Sequence, residues 1–373
     1  MFKVGILSLP LNWNYGGILQ QYALSSYLKK KGLTPIIISR RLSRFNRFTL
    51  YLVKSKWTMV RLLGKFNFLN FIPILATEKF KKDYLNNRTE DFYSSSEIYN
   101  FTKNKKINNF IVGSDQIWNV EATPSLKDSF IGFCQNKQKG LIASYAASFA
   151  HDDWKYSKSE TKLCQKLIKK FFMVSVREKR GTILTKKFLN KKSIRVLDPT
   201  FLLKKKNYLK LIKKQNKKDK SLFCYILDKN YNKEKIIKSL IINKKLKLID
   251  YSNFSIKSNV FRLKKNFTVD NWLSDLYHSD FVITDSFHGM VFSIIFRKNF
   301  LIFLNKKRGA SRIESLLEDL GLKDRIIRTN NFNIFKIKKI NWNSVYKKLI
   351  VLEKISKNFL KKILIKIKKN IYD

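Results

Sequence analysis

A histidine at a strand-to-helix turn is the residue of this chain that is best placed to take part in catalysis. The apolar run that starts at Phe281 ends at Thr284, and His288 follows where a helix would begin, directly before Gly289. Strand carboxyl ends face the ligand crevice of an open α/β sheet, and a helix start adds partial positive charge. His288, one of three histidines, could therefore exchange protons with an anionic substrate. A helix-capping or core histidine is the alternative interpretation.

A glycine-rich turn between the first predicted strand and helix is a second candidate. It contains Asn14, Gly16 and Gly17, whose backbone could approach an anion or a sugar hydroxyl. The turn lacks the GxGxxG fingerprint, so a dinucleotide site is poorly supported. A plain turn capped by Asn14 remains an alternative.

A third strand exit carries Ser114, Asp115 and Gln116 beside Trp118. Polar groups next to an aromatic ring suit a sugar, which offers hydroxyls at its rim and an apolar face. Turn capping by Asp115 is the alternative.

Two arginines could bind an anion. Arg177 ends a predicted strand, and its planar guanidinium could hold a carboxylate or phosphate, or else pair with an acid of the protein. The stretch Ser311–Glu314 predicts a capping box that opens a helix. Arg312, at the start of that helix, would oppose the dipole by about 0.3 to 1 kcal/mol unless an anion lies between them.

The elements that position these residues alternate as in an α/β protein. A strand Phe2–Leu7, a helix Ile18–Lys31 that stops at Gly32 and a strand Pro35–Ser39 predict a parallel βαβ unit. Residues 42–106 are interpreted as a mostly helical insertion. The pattern then predicts the strands Phe110–Val112, Leu141–Tyr145, Met173–Val176 and Ile194–Leu197 and a helix near Ser159–Phe172.

A second alternating series follows a lysine-rich stretch, and it predicts two domains. The strands are Leu222–Leu227, Leu246–Ile249, Val260–Leu263, Phe281–Thr284 and Phe300–Leu304, with a helix near Lys233–Asn243. We predict an α/β fold in which two Rossmann-like domains, residues 1–204 and 205–341, face a cleft. Residues 342–373 are predicted as an amphipathic basic helix, with Val345, Leu349, Leu352, Ile355, Phe359, Ile363 and Ile367 at helical spacing. This helix either closes the globular body or anchors it to a membrane surface.

Composition narrows the class of protein. Three well-separated cysteines, Cys134, Cys164 and Cys224, predict buried thiols rather than a disulfide framework or a zinc cage. No carboxylate and histidine cluster predicts a metal site, and no run predicts a signal peptide or a membrane span. The net charge of +50 suggests an anionic partner, such as the inner membrane surface or an acidic polysaccharide. Nucleic acid is not expected, because no zinc finger, RNA-recognition signature or basic zipper is present.

The chain resembles the polysaccharide pyruvyl transferases at five places in the right order. They are Asn14-Tyr-Gly-Gly17, Gly113-Ser-Asp-Gln-Ile-Trp-Asn119, Ser175-Val-Arg-Glu-Lys179, Val196-Leu-Asp-Pro-Thr200 and Asp285-Ser-Phe-His-Gly289. The resemblance implies a glycosyltransferase-B-like pair of domains, with an N-terminal acceptor side and a C-terminal donor side. It also implies transfer of pyruvate from phosphoenolpyruvate to a hexose of a surface polysaccharide or its lipid-linked precursor, which gives a ketal. No cofactor is implied.

The same resemblance assigns roles to residues. His288 resembles the catalytic histidine, and Arg177 resembles an arginine that grips the donor, with Ser286 and Gly289 beside them. Family members with ketal activity tend to carry arginine and leucine before that histidine, where this chain has Ser286 and Phe287. We therefore expect Arg312, Arg308 or Lys307 to supply the missing charge.

Two other functions are consistent with the same pattern. A glycosyltransferase that uses a nucleotide-sugar would share the architecture, because fold does not fix the donor. A non-catalytic binder of anionic polysaccharide would use the basic surface alone. In each case a cytoplasmic protein is expected, peripheral at the inner face of the membrane where the acceptor is lipid-linked.

Overall fold

The structure of the protein is a computed structural model. It describes residues 2–12, 14–42, 72–134, 140–212, 219–252, 267–305, 309–328 and 337–369. Within these ranges the chain forms two parallel β-sheets flanked by helices, so the predicted α/β fold with two Rossmann-like sheets is confirmed.

The first sheet is built from the N-terminal half of the chain. Its strands are β1 (Phe2–Leu7), β2 (Leu33–Arg40), β3 (Arg88–Phe92), β4 (Asn109–Val112) and β5 (Ile142–Ser144). They pair in parallel in the order β3-β2-β1-β4-β5. Bridges from Ala143 to Met173 and from Ala147 to Val176 continue the sheet to β6 (Ser175–Val176) and β7 (Ile194–Arg195).

Seven helices accompany these strands in the described part of this half. They are α1 (Tyr15–Lys30), α2 (Ile72–Tyr84), α3 (Ser95–Asn104), α4 (Leu126–Ser129), α5 (Lys158–Ile168), α6 (Lys179–Leu189) and α7 (Lys205–Leu209). Helix α1 begins at Tyr15 because Asn14 caps it. It ends before Gly32, whose φ of 83° lies in the left-handed region that glycine tolerates.

The second sheet has the order β12-β11-β10-β8-β9, again parallel. Its strands are β8 (Ser221–Tyr225), β9 (Lys247–Asp250), β10 (Phe281–Thr284), β11 (Asn299–Phe303) and β12 (Ile326–Ile327). The helices of this half are α8 (Tyr231–Lys244), α9 (Val269–His278), α10 (Phe287–Ile295), α11 (Ala310–Leu320) and α12 (Trp342–Lys369). The strand order reverses between β8 and β10, as it does between β1 and β4 in the first sheet. Such reversals are where ligand crevices open in α/β sheets.

Two sequence predictions are wrong in part. Residues 42–106 are not simply a helical insertion, because Arg88–Phe92 forms the edge strand β3 between α2 and α3. The polar sequence of β3 did not predict a strand, because most of its residues lie at the partly exposed edge of the sheet. Residues 43–71 and the predicted strand Val260–Leu263 lie outside the described residues.

The predicted capping box at Ser311 is also wrong. Helix α11 begins one residue earlier, at Ala310, behind Gly309 with a φ of 78°, and no side chain caps it. Arg312 is therefore the third residue of the helix rather than its first. Gly321 ends the helix in a left-handed conformation, as predicted.

One hydrophobic core runs through both halves. Tyr15 of α1 stacks on Trp272 of α9 with ring centroids 5.4 Å apart, so the first helix packs directly on the second half. The boundary near residue 205 stays a prediction, because this shared core leaves no separation at that point. Cys134, Cys164 and Cys224 are buried and free, as predicted.

The C-terminal helix closes this core. Its buried residues are Val345, Leu349, Ser356, Phe359, Leu360, Ile363, Leu364 and Ile367. The Ser356 hydroxyl accepts the backbone N–H of Leu197 at 2.9 Å. Ile355, predicted on the same face, is 43% exposed. Over the described ranges, no helix combines the length and the apolar content needed to cross a membrane.

Candidate active site

A cavity of about 510 Å³ lies where the two strand-order reversals meet. Most of the polar residues in its lining follow the ends of strands: Asn14 after β1, Asp115 and Gln116 after β4, Asp228 after β8, Ser286 and His288 after β10, and Asn305 after β11. Arg312 comes from α11. Both halves of the protein therefore contribute to one site, as the sequence predicted from the positions of the strand ends.

A larger groove of about 940 Å³ lies between α6 and the start of β7. Its lining is apolar and lysine-rich, and it contains no carboxylate, histidine or arginine. Because proton transfer needs such side chains, the smaller cavity is the better candidate for the active site.

The turn from β10 to α10 holds His288. Ser286 caps the helix, with its Oγ 3.4 Å from the N–H of Gly289, and its own N–H donates to Thr284 Oγ1 at 3.0 Å. A side chain at Gly289 would come within 2.5 Å of Thr284 Oγ1. Glycine is thus needed for the helix to pack on its own strand, and this packing aims His288 at the cavity.

His288 faces a buried carboxylate from the other half of the protein. Its Nε2 atom is 3.4 Å from Oδ2 of Asp198, which follows β7. Asp198 also accepts from Arg177 Nη1 at 2.9 Å and from the backbone and hydroxyl of Thr200 at 3.0 and 2.8 Å. Burial alone would raise the pKa of Asp198, but His288 and Arg177 outweigh it and hold that pKa well below its usual value. Asp198 is therefore ionised.

Arg177 lies behind the cavity rather than in its lining. Besides Asp198, its Nη2 atom is 3.5 Å from Asp115 Oδ1, and its guanidinium stacks on Phe287 at 4.6 Å from the ring centre. Burial opposes its charge, but the carboxylates of Asp198, Asp115 and Glu178 raise the pKa of Arg177 above its usual value. Arg177 therefore pairs with acids of the protein, which is the alternative that the sequence left open for this residue.

The start of α1 packs directly against the imidazole. A Cβ atom at Gly16 would lie 2.0 Å from His288 Nδ1, whereas one at Gly17 would meet nothing closer than Asp115 Oδ2 at 3.5 Å. The N–H groups of Gly16 and Gly17 both donate to Asn14 Oδ1, at 3.0 and 3.3 Å. These two donors are therefore used by the helix cap, and Asn14 acts as the cap that the sequence allowed.

Arg312 brings a guanidinium to the cavity wall. It lies 5.5 Å from the centre of the Phe287 ring, and Gln116 places its amide oxygen 2.9 Å from Nη2 in the orientation that satisfies both groups. Burial and the neighbouring Arg177 lower the pKa of Arg312 to about 10, so it stays charged at neutral pH. Lys307 and Arg308 lie outside the described residues.

The exit from β4 is strained. Asp115 adopts a φ of 63°, an uncommon value for a residue other than glycine and typical of functional turns. Ser114 is fully buried, and its hydroxyl has no hydrogen-bond partner among the described residues. Of the predicted substrate-binding residues at this exit, Asp115 and Gln116 line the cavity and Ser114 does not.

A carboxylate and amide group on the second sheet was not foreseen. Asp285 accepts the backbone N–H groups of Leu227 and Asp228 at 2.7 and 3.2 Å and pairs with Lys233 at 2.7 Å. This ties the exits of β8 and β10 together. Asp228 Oδ2 then lies 2.5 Å from the amide of Asn305 at the cavity wall. Within the described ranges, no three side chains of His, Cys, Asp or Glu gather as metal ligands would.

The sequence missed the role of Asp198 most clearly. The dipeptide Asp198-Pro199 predicts a turn, and Asp198 does cap the short helix Pro199–Leu202. A signal was nevertheless present, because Asp198 follows a strand exit of the same sheet as Arg177. Asp228 also follows a strand end, that of β8, which was a weaker signal for a place in the site.

Comparison with known proteins places these features in a family. No curated protein matches the chain. Among solved structures, a UDP-GlcNAc 2-epimerase from Neisseria meningitidis has 9% identity over 95% of this chain and 94% of its own, with a TM-score of 0.49. A glycosyltransferase from Rickettsia africae has 15% identity over 99% of both chains, with a TM-score of 0.45.

The family comparison covers most of the residues that line the cavity, though not Arg312. The sequence model of the polysaccharide pyruvyl transferases matches residues 14–307. That span begins at the Asn14 cap and contains Arg177, Asp198 and His288. Because it covers most of the chain, this protein belongs to the polysaccharide pyruvyl transferase family and is an enzyme of that kind.

Proposed function

We propose that the enzyme transfers pyruvate from phosphoenolpyruvate to two hydroxyls of a hexose, which gives a cyclic ketal and phosphate. The observation that supports this most is the imidazole of His288, held between Asp198 and the start of α1 in a cavity that also contains Arg312. An acid-base group beside a guanidinium suits an anionic donor with a phosphate leaving group. The cavity volume of about 510 Å³ falls in the usual range for small-molecule sites.

The donor would lie against Arg312. Its guanidinium can take a carboxylate or phosphate in two parallel bonds, and the dipoles of α1 and α10 both point their positive ends at the cavity. The capped N–H groups of Gly16 and Gly17 are already used, so the side chain of Arg312 carries the specific contacts. Arg177 serves as a positioning residue that fixes Asp198.

The chemistry requires three proton movements. One sugar hydroxyl loses its proton and adds to the central carbon of the enol pyruvate, whose terminal carbon gains a proton. The second hydroxyl then forms the other C–O bond as the C–O bond to phosphate breaks, and its proton leaves with the phosphate. A group that gives and takes protons near neutral pH can serve these steps.

The two ring nitrogens would have different roles. Nε2 lies 3.4 Å from the carboxylate of Asp198, so we place the ring proton on Nε2 and leave Nδ1 as the basic nitrogen of the neutral ring. Nδ1 packs against the backbone of Gly16, and His288 itself lines the cavity. We assign proton exchange with the substrate to Nδ1.

The acceptor would be a hexose of a surface polysaccharide or of its lipid-linked precursor. Asp228 and Asn305 add a carboxylate and an amide to the lining of the same cavity, and such groups bind sugar hydroxyls. A lipid-linked acceptor would bring the enzyme to the inner face of the membrane.

Replacing His288 by glutamine should lower the transfer rate by about 10² to 10⁴-fold, because the amide cannot exchange protons near neutral pH. Phosphate release from phosphoenolpyruvate in the presence of the acceptor polysaccharide measures this rate. His151→Gln is the control, since that imidazole contacts Glu121 outside the cavity. A His288→Gln rate within tenfold of wild type would exclude His288 from the chemistry.

Asp198→Asn should slow transfer by about 100-fold while donor affinity changes less. The amide removes the negative charge that faces the imidazole, so the ring loses the group that orients it during proton exchange. Steady-state rates and phosphoenolpyruvate titrations test this, and circular dichroism verifies that the variant is folded. A transfer rate within tenfold of wild type in a folded variant would contradict the positioning role.

Gly16→Ala should reduce activity by about 100-fold, because the new methyl group would lie 2.0 Å from His288 Nδ1 and displace the ring. The matched control is Gly17→Ala, where the added atom meets only an ordinary contact at 3.5 Å. Equal activities of the two variants would mean that the imidazole position is not critical.

Arg312→Gln should weaken phosphoenolpyruvate binding about 10- to 100-fold, as expected for loss of charge-assisted hydrogen bonds. Isothermal titration calorimetry measures the affinity, with Arg328→Gln as the control because Arg328 is exposed and pairs with Glu314. UDP-glucose is titrated in parallel. Binding of UDP-glucose but not of phosphoenolpyruvate by the wild-type enzyme would favour the nucleotide-sugar alternative.

A further inference from the structure

The outward face of α12 is rich in lysine, and the packing of this helix on the core does not require that composition. The helix contains nine lysines and one acidic residue, Glu353, which pairs with Lys357. Its other lysines are exposed: Lys347, Lys348, Lys354, Lys361, Lys362, Lys366, Lys368 and Lys369. At 100° per residue these eight fall on the arc opposite the buried residues, and that arc contains no carboxylate.

Apolar side chains lie among these lysines. Ile350, Val351, Ile355 and Ile365 are 61%, 59%, 43% and 45% exposed. Single exposed apolar residues are ordinary on protein surfaces, but four on one helical arc form a stripe about 22 Å long from Ile350 to Ile365. Lysines with apolar side chains beside them can meet the interface of an anionic membrane through both charge and apolar contact.

The opposite face is fixed, so the helix can present this stripe without leaving the protein. Ser356 accepts the N–H of Leu197 at 2.9 Å, and the Tyr346 hydroxyl donates to the carbonyl oxygen of Ile295 at 3.2 Å. Arg297 also stacks on Tyr346 at 4.2 Å. The inner face is therefore occupied by the body of the enzyme, and the outer face is available to a flat surface.

We propose that the outer face of α12 docks the folded enzyme on an anionic phospholipid bilayer. The lysines bind lipid phosphates, and the four apolar side chains enter the headgroup boundary. The occupant is a bilayer rather than a dissolved polyanion, because a polyanion would use the lysines and leave the apolar stripe in water. This extends the proposed function, in which the acceptor is lipid-linked, but it does not depend on the identity of the donor.

Vesicle sedimentation of the full-length protein tests the proposal. The wild type should bind vesicles that contain phosphatidylglycerol, release from them as salt is raised, and bind pure phosphatidylcholine at least tenfold more weakly. Lys354, Lys361 and Lys368 lie on one line of the helix, and their joint replacement by glutamine should weaken binding about 100-fold, since each lysine contributes roughly a factor of five.

Two further variants separate the sources of binding. Replacement of Lys235, Lys238 and Lys244 of α8 by glutamine removes the same charge elsewhere and should change binding less than threefold. Replacement of Ile350 and Ile365 by serine keeps every charge and should weaken binding at least tenfold. Equal loss from the α8 and α12 lysine variants would overturn the proposal, because the net charge alone would then be responsible.

Wild-type vesicle binding by the serine variant would also overturn it, since the lysines alone would then account for binding and the apolar side chains would have no part in it. Each variant is titrated with phosphoenolpyruvate as well. Lost vesicle binding with normal phosphoenolpyruvate affinity supports α12 as the docking surface. Vesicle binding by a wild type that fails to bind phosphoenolpyruvate would reject the proposed donor and leave the membrane assignment standing.

Discussion

The carboxylate of Asp198 is the contact on which the site depends. It belongs to the first half of the protein, it pairs with Arg177 of the same half, and it faces His288 of the second half. A fully buried carboxylate is stable only with opposite charge and hydrogen bonds around it. Without it, the guanidinium and the imidazole would be left without their shared counter-charge. Asp198 therefore links the two halves of the protein beside the cavity.

The C-terminal helix supports the same contact from behind. Ser356 of α12 binds the N–H of Leu197, the residue immediately before Asp198. Because the other side of that helix is rich in lysine and isoleucine, the surface that we assign to the membrane and the carboxylate that orients His288 are fixed by one helix. Its inner residues pack against the segment that carries Asp198, whereas its outer lysine and isoleucine side chains are exposed.

The sequence predicted the parts of the fold that rest on local pattern. The βαβ start, the β10 to α10 turn, the end of α11 at Gly321 and the length of α12 all follow from apolar spacing and from caps. It failed for β3, where an edge position permits a polar sequence, and for the start of α11, where the backbone of Gly309 replaces a side-chain cap. Long-range pairing was harder still. The motif around Asp198 was visible, but its contact with His288 joins residues 90 positions apart, and no local period encodes such a contact.

The same limit applies to the two glycines of α1, which look alike in sequence but differ in the structure. A Cβ at Gly17 would find ordinary space, whereas one at Gly16 would collide with the imidazole of a helix far along the chain. Only the packing of α1 on α10 distinguishes them.

The ring of Phe287, the residue next to His288, contacts both buried guanidinium groups of the site. Arg177 lies 4.6 Å and Arg312 lies 5.5 Å from its centre. An arginine in place of Ser286, one residue earlier, would add a third cation near two buried ones, which like-charge repulsion disfavours. The aromatic ring of Phe287 instead attracts both guanidiniums through its negative face. Positive charge thus reaches the cavity from α11 rather than from the histidine turn, and the departure from the family pattern at Ser286 and Phe287 is consistent with an anionic donor.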